Sequence, residues 1–147
     1  MVGYIAACGF NVMNKEEATA MFVGLLNAST ELTTALNGRI YATKRSEGKP
    51  VEECIVVNTP WVNHRRPQEG YTNINIHVPD ETHTIDGVQQ KQPNNDRISE
   101  LTNIVLSILD TAIVEGVDWQ MPQENGMVEP THEEHYNNLR IDWINGN

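Results

Sequence analysis

Apolar residues recur at helical spacing in two stretches of the chain. After Asn14 they fall at Ala18, Met21, Phe22, Leu25 and Leu26, one stripe of a helix. Asn14 with Glu17 three residues later has the spacing of an N-cap and its reciprocal acid. A short helical turn follows over residues 30–36 and stops at Asn37-Gly38, a pair that readily takes the left-handed conformation closing a helix. The strongest helical pattern starts at Asp96, the expected cap. It places Ile98, Leu101, Val105, Ile108, Leu109 and Ala112 on one face and ends near Gly116.

Between and after these lie strand patterns. Residues 39–43 and 54–59 are β-branched or aromatic runs bounded by Gly, Pro and charged residues. Residues 71–78 alternate, with Thr72, Ile74, Ile76 and Val78 facing one way and Tyr71, Asn73, Asn75 and His77 the other. Residues 117–121, a Pro/Glu/Asn/Gly turn, residues 127–129 and the alternating stretch 136–143 read as closing strands, with Leu139, Ile141 and Trp143 on the buried side. Residues 79–96 are polar, contain Asp86-Gly87 and Pro93, and show neither period, so they read as a long polar loop, of the kind that serves as a partner-binding arm, a lid or a disordered insertion. The expected fold is α+β: a two-layer, mainly antiparallel sheet packed against two amphipathic helices, in a single domain spanning residues 1–147.

Composition narrows the function. The chain of 147 residues has a formal charge of -10, which argues against a protein that grips nucleic acid through clustered cations. The densest basic patch, His64-Arg65-Arg66 beside Pro67, reads as a solvated turn. Cys8 and Cys54 belong to no multi-cysteine pattern, so neither a zinc site nor a disulfide framework is indicated, and a reducing compartment fits. Residues 2–10 are apolar but lack a basic leader and are about half the length of a membrane span, so no membrane role is expected.

No constellation of side chains earns a catalytic, cofactor-binding or metal assignment. In His132-Glu133-Glu134-His135 the histidines are three apart, whereas the zinc-protease pattern needs four, and the segment reads as an exposed polar turn. His77 and His83 lie near Asp80, Glu81 and Asp86, without the acid spacing of a calcium loop. Phosphate-binding glycine loops and nucleophile-elbow motifs are absent from the sequence.

The order of an amphipathic helix, the Asn37-Gly38-Arg39-Ile40-Tyr41 turn into a strand, the Ile55-Val56-Val57 strand, an alternating strand, a second amphipathic helix and a closing strand resembles the tail-completion, or tail-terminator, proteins of long-tailed bacteriophages. The resemblance covers about residues 14–143, and its sharpest element is Gly38-Arg39-Ile40-Tyr41. The chain departs from the family pattern at Glu52-Glu53-Cys54, where a Pro-aromatic pair is common, and in the length of the polar stretch 79–96.

The resemblance implies a non-enzymatic virion or prophage subunit, assembled in the host cytoplasm and located in the tail or neck. Its implied partners are copies of itself in a ring, commonly a hexamer, together with tail-tube and head-connector proteins. DNA would pass through that ring without specific binding, and an acidic lumen suits such passage because like charge keeps phosphates from adhering. Residues 1–13 are then a possible N-terminal extension or arm. The competing expectations are a small non-catalytic adaptor domain that binds through residues 79–96, and a metal enzyme using His132 and His135.

Overall fold

The computed structural model describes residues 12–45, 52–129 and 134–147, and among these the chain forms three helices and eight strands. The alternating stretch around Ile74 is the middle of the fold. It extends to a twelve-residue strand, β3 (Gln68–Pro79), that lies between β2 (Cys54–Val62) and β8 (Glu134–Asn145), antiparallel to both. Pairing sets Ile55 opposite Ile76 and Val57 opposite Ile74, then Ile74 opposite Leu139, Thr72 opposite Ile141 and Gly70 opposite Trp143. Strand side chains alternate between faces, so this register gathers the apolar groups onto one surface.

That surface carries α1 (Lys15–Asn27), α2 (Thr30–Ala35) and α3 (Asn95–Thr111), with α1 over β2 and α3 over β3 and β8. Phe22, Leu26, Leu32, Leu101 and Val105 of the helices meet Ile55, Ile74, Ile76, Leu139, Ile141 and Trp143 of the sheet in one core. The α+β two-layer expectation holds, with one parallel pair: β1 (Ile40–Ala42) runs alongside β2 after the α1–α2 layer. Buried hydroxyls inside the core are satisfied by each other. Thr19 donates to Thr59 at 2.8 Å, Thr59 and Thr72 lie 2.9 Å apart, and the Trp143 indole donates to Thr72 at 3.1 Å.

The α1 cap is as expected. The Asn14 side chain accepts from Glu17 N–H at 2.8 Å and Glu17 accepts from Asn14 N–H at 3.1 Å. For α3 the cap is Asn94 and not Asp96, whose carboxylate instead occupies the first turn, where the helix dipole favours it. Val12 and Met13, read as part of an extension, belong to the fold. Both are buried, and the Gln68 amide binds the Met13 backbone at both its N–H and its carbonyl. Residues 1–11, and with them Cys8, lie outside the described residues.

Two stretches read as irregular are strands. Within residues 79–96, β4 (Glu81–Ile85) and β5 (Val88–Gln92) pair antiparallel as a separate two-stranded sheet. Asp86 and Gly87 both take positive φ, 52° and 78°, which matches the twist of a two-residue hairpin turn. The expected turn before residue 127 is instead the start of β7 (Gln123–Glu129). With β6 (Val117–Trp119) it forms a single interrupted edge along β8, since Trp119 faces Trp143 and Gln123 faces Arg140. Four steps on one side match three on the other, so Gln120–Pro122 is a bulge, a suitable place for a proline that lacks a donor.

Candidate functional site

The β4–β5 hairpin is an arm. Every residue from 81 to 91 is exposed, and among the described residues its strands pair only with each other. On one of its faces stand Glu81, His83 and Ile85 with their partners Gln92, Gln90 and Val88; Thr82, Thr84, Gln89 and Lys91 occupy the other. Its tip is apolar, with Ile85 41% and Val88 58% exposed. The arm leaves the main sheet at Pro79 and returns at Pro93, and prolines at both roots give no backbone donor that would extend the main ladder into the arm.

Beside the arm's root runs a groove of about 420 Å³ between α3 and β7, lined by Pro93, Ile98, Thr102, Met127, Val128 and Asn137 among others. Its floor is fixed because the Asn137 amide donates to Thr102 at 3.0 Å and to Glu124 at 2.8 Å. Val128 lies on the helix-facing side of β7, yet it is 62% exposed. Nothing in α3 reaches far enough sideways to cover it. Among the described residues β7 pairs with β8 alone, so its outer backbone edge is open.

Behind the groove lies a buried charge cluster at the start of β8. The Glu134 side chain is fully buried; its Oε1 accepts from the Arg45 guanidinium and lies 2.9 Å from His77 Nδ1. Burial pushes this carboxyl up, but the hydrogen bonds from His77 and Arg45 outweigh it and hold it below its ordinary value. Arg45 also reaches Cys54 Sγ at 3.8 Å, while burial pushes that thiol above its ordinary value. Tyr136 stacks on His77 with ring centroids 4.4 Å apart. At the arm's root His135 Nδ1 lies 2.6 Å from Asp80 Oδ1.

The expected exposed turn at residues 132–135 is therefore corrected at its end: Glu134 and His135 are strand residues, one a buried ion-pair partner and the other tied to Asp80. His132 lies outside the described residues. His77 stands on β3, as its place in the alternating stretch predicts, but it is buried and bound to Glu134 and is no member of an acidic cluster with His83, which lies 2.9 Å from Glu81 on the arm. His64, Arg65 and Arg66 are exposed, as expected. Among the described residues no group of three or more acids, histidines or cysteines is arranged to hold a metal.

A second ion pair braces the scaffold. Arg97 makes a two-pronged contact with Glu53, at 2.6 and 2.8 Å, and also donates to the Ala35 carbonyl; Glu53 in turn accepts from Asn37 N–H at 3.0 Å. Burial raises the Glu53 carboxyl, and Arg97 with the Asn37 amide bring it net below its ordinary value. This pair joins the start of α3 to the end of α2 and the start of β2. It braces the α3 side of the groove.

The sheet face opposite the helices is polar and ordered by side-chain contacts. Asn73 donates to Asn58, Asn138 donates to Asn75, and the Arg140 guanidinium sits 3.9 Å above the Tyr71 ring. Among the described residues no helix is long and apolar enough to cross a membrane. Neither a family model nor a characterised protein sequence matches the chain.

Proposed function

We propose that the chain is a structural subunit of a homo-oligomeric ring, of the tail-completion or tail-terminator kind, acting at the junction of a phage tail tube with the head connector and carrying out no catalysis. One observation carries this reading: the projecting arm with an apolar tip. An isolated two-stranded hairpin is marginal in water, and a tip of Ile85 and Val88 gains by being covered. The open β7 edge and the overall charge of -10 are compatible with the same role, the latter because an acidic passage does not retain DNA.

The adaptor reading uses the same arm and differs in what covers it. Light scattering over a concentration series, with negative-stain images of the same fractions, separates the two. A species near six times 16.5 kDa with a central hole is the expected result. A monomer at every concentration, including in the presence of tail-tube or connector proteins, would sink the ring reading.

A further inference from the structure

We infer that the arm of one copy adds an edge to β7 of the next copy, seating Ile85 and Val88 in that neighbour's groove between α3 and β7. The inference rests on the ring reading and names the contact that would build it.

Natural sheets protect their edges by shortness, prolines or charge. The edge formed by β1 follows the rule, at three residues. The β7 edge does not: it is seven residues long, has no proline, and keeps its glutamates away from its centre, Asn125-Gly126-Met127-Val128. A Cβ built on Gly126 meets nothing within 4 Å, so a second backbone can approach there. Both arm strands are likewise free of proline and pair on one side only, among the described residues. Among the described residues each chain thus carries one hairpin with an exposed apolar tip and one strand edge that pairs on one side only and exposes Met127 and Val128. Copies of the chain supply these in equal number, which an unrelated partner does not.

The area involved favours an arrangement in which every copy both gives and receives an arm over a single arm contact between two copies. Stable interfaces bury about 800 Å² per partner over some 20–30 residues, or about 30–40 Å² per residue. Twelve arm residues, Glu81 to Gln92, therefore contribute about 400 Å², giving a contact of about 800 Å² in total, below the roughly 1,200 Å² of a stable pair. In a head-to-tail ring every copy gives an arm and receives one, which doubles the area each copy commits. Passed from copy to copy in one direction, as the ring reading requires, the contact is heterologous, and heterologous contacts close into rings or continue as filaments; two copies exchanging arms reciprocally would instead stop at a dimer in light scattering, which would overturn the ring.

The test pairs a charge-placing variant with a cross-link. Ile85→Glu with Val88→Glu, and separately Val128→Lys, are examined by light scattering, with circular dichroism to confirm that each keeps the unaltered protein's fold. Each should raise the concentration at half-assembly by at least about tenfold, as expected for losing one central apolar anchor. In a Cys8→Ser background, Val88→Cys protein mixed with Val128→Cys protein should form disulfide-linked pairs, and the doubly substituted chain a ladder up to the ring. An assembled parent whose variants assemble unchanged and give no link between chains would overturn the arm contact and leave the ring reading standing. Links formed only within the doubly substituted chain would overturn it too, because the arm would then occupy its own groove. A parent that is monomeric throughout removes both readings.

Discussion

Replacing Glu134 by Gln keeps the side-chain volume and one carbonyl acceptor but deletes the charge facing Arg45 and His77. Breaking a fully buried ion pair costs about 3–5 kcal/mol. Here Glu134 is fully buried, whereas the Arg45 side chain is 22% exposed and regains some hydration, so we expect a loss nearer 2 kcal/mol at pH 7. With a urea slope of about 2 kcal/mol per molar, the unfolding midpoint should fall by about 1 M. The carboxyl is held below its ordinary value of 4.5 in the folded state, so its contribution is complete above that pH and is lost as pH falls through the lower folded value. Parent and variant should therefore converge in acid. Urea titrations at fixed protein concentration between pH 7 and pH 3 measure this directly. A gap under about 0.5 kcal/mol at pH 7, or one that does not narrow below about pH 4.5, would refute the argument that this cluster is net stabilising.

Other expectations concern the scaffold and assembly. A Cβ on Gly70 would stand 2.3 Å from the Trp143 ring, so Gly70→Ala should cost about 1–3 kcal/mol in thermal or urea unfolding, and Trp143 fluorescence should shift. Arg97→Lys should not restore the two-pronged contact with Glu53 and should lose most of what Arg97→Met loses, about 2–3 kcal/mol; equal stability of parent and lysine variant would contradict the geometry. Ile74→Ala at the centre of the sheet should cost about 2–5 kcal/mol, whereas Ile113→Ser, at a position 78% exposed, should fall within about 0.5 kcal/mol. Because the chain carries a charge of -10, added salt should lower the concentration at half-assembly by screening repulsion between copies; an opposite trend in light scattering would point to an interface held by ion pairs.

The elements with an apolar face were readable before any coordinates. Ala18 to Leu26, Ile98 to Leu109, Thr72 to Val78 and Leu139 to Trp143 each showed the period of the element they form, because burial of one face imposes it. The arm and β7 were not readable in this way. Thr82, His83, Thr84, Gln89, Gln90 and Lys91 present polar groups on both faces, so no alternation of apolar with polar exists to detect. Asp86-Gly87 between Ile85 and Val88 was the available signal, a two-residue turn flanked by apolar residues. The Glu134 cluster was hidden for another reason. Arg45 and His77 stand 89 and 57 positions from Glu134; the β3–β8 register sets His77 beside it, while Arg45 comes from the segment that follows β1. Counting back from Trp143 in steps of two reaches Asn137 and His135, which puts Glu134 on the opposite face, but no local pattern tells a buried acid there from an exposed one.

Prolines at both roots of the arm have a consequence for how such a protein can vary. The arm's ladder is not shared with the main sheet, so its length is free of the core's register. Two residues added to each strand would carry the tip outward by about 7 Å and keep Ile85 and Val88 on their present side. One residue added to each would turn them to the other side, relative to the roots. Reach is thus adjustable in increments of a full pleat repeat, and an assembly built on this contact could change its spacing while every residue of the folded body stays as it is.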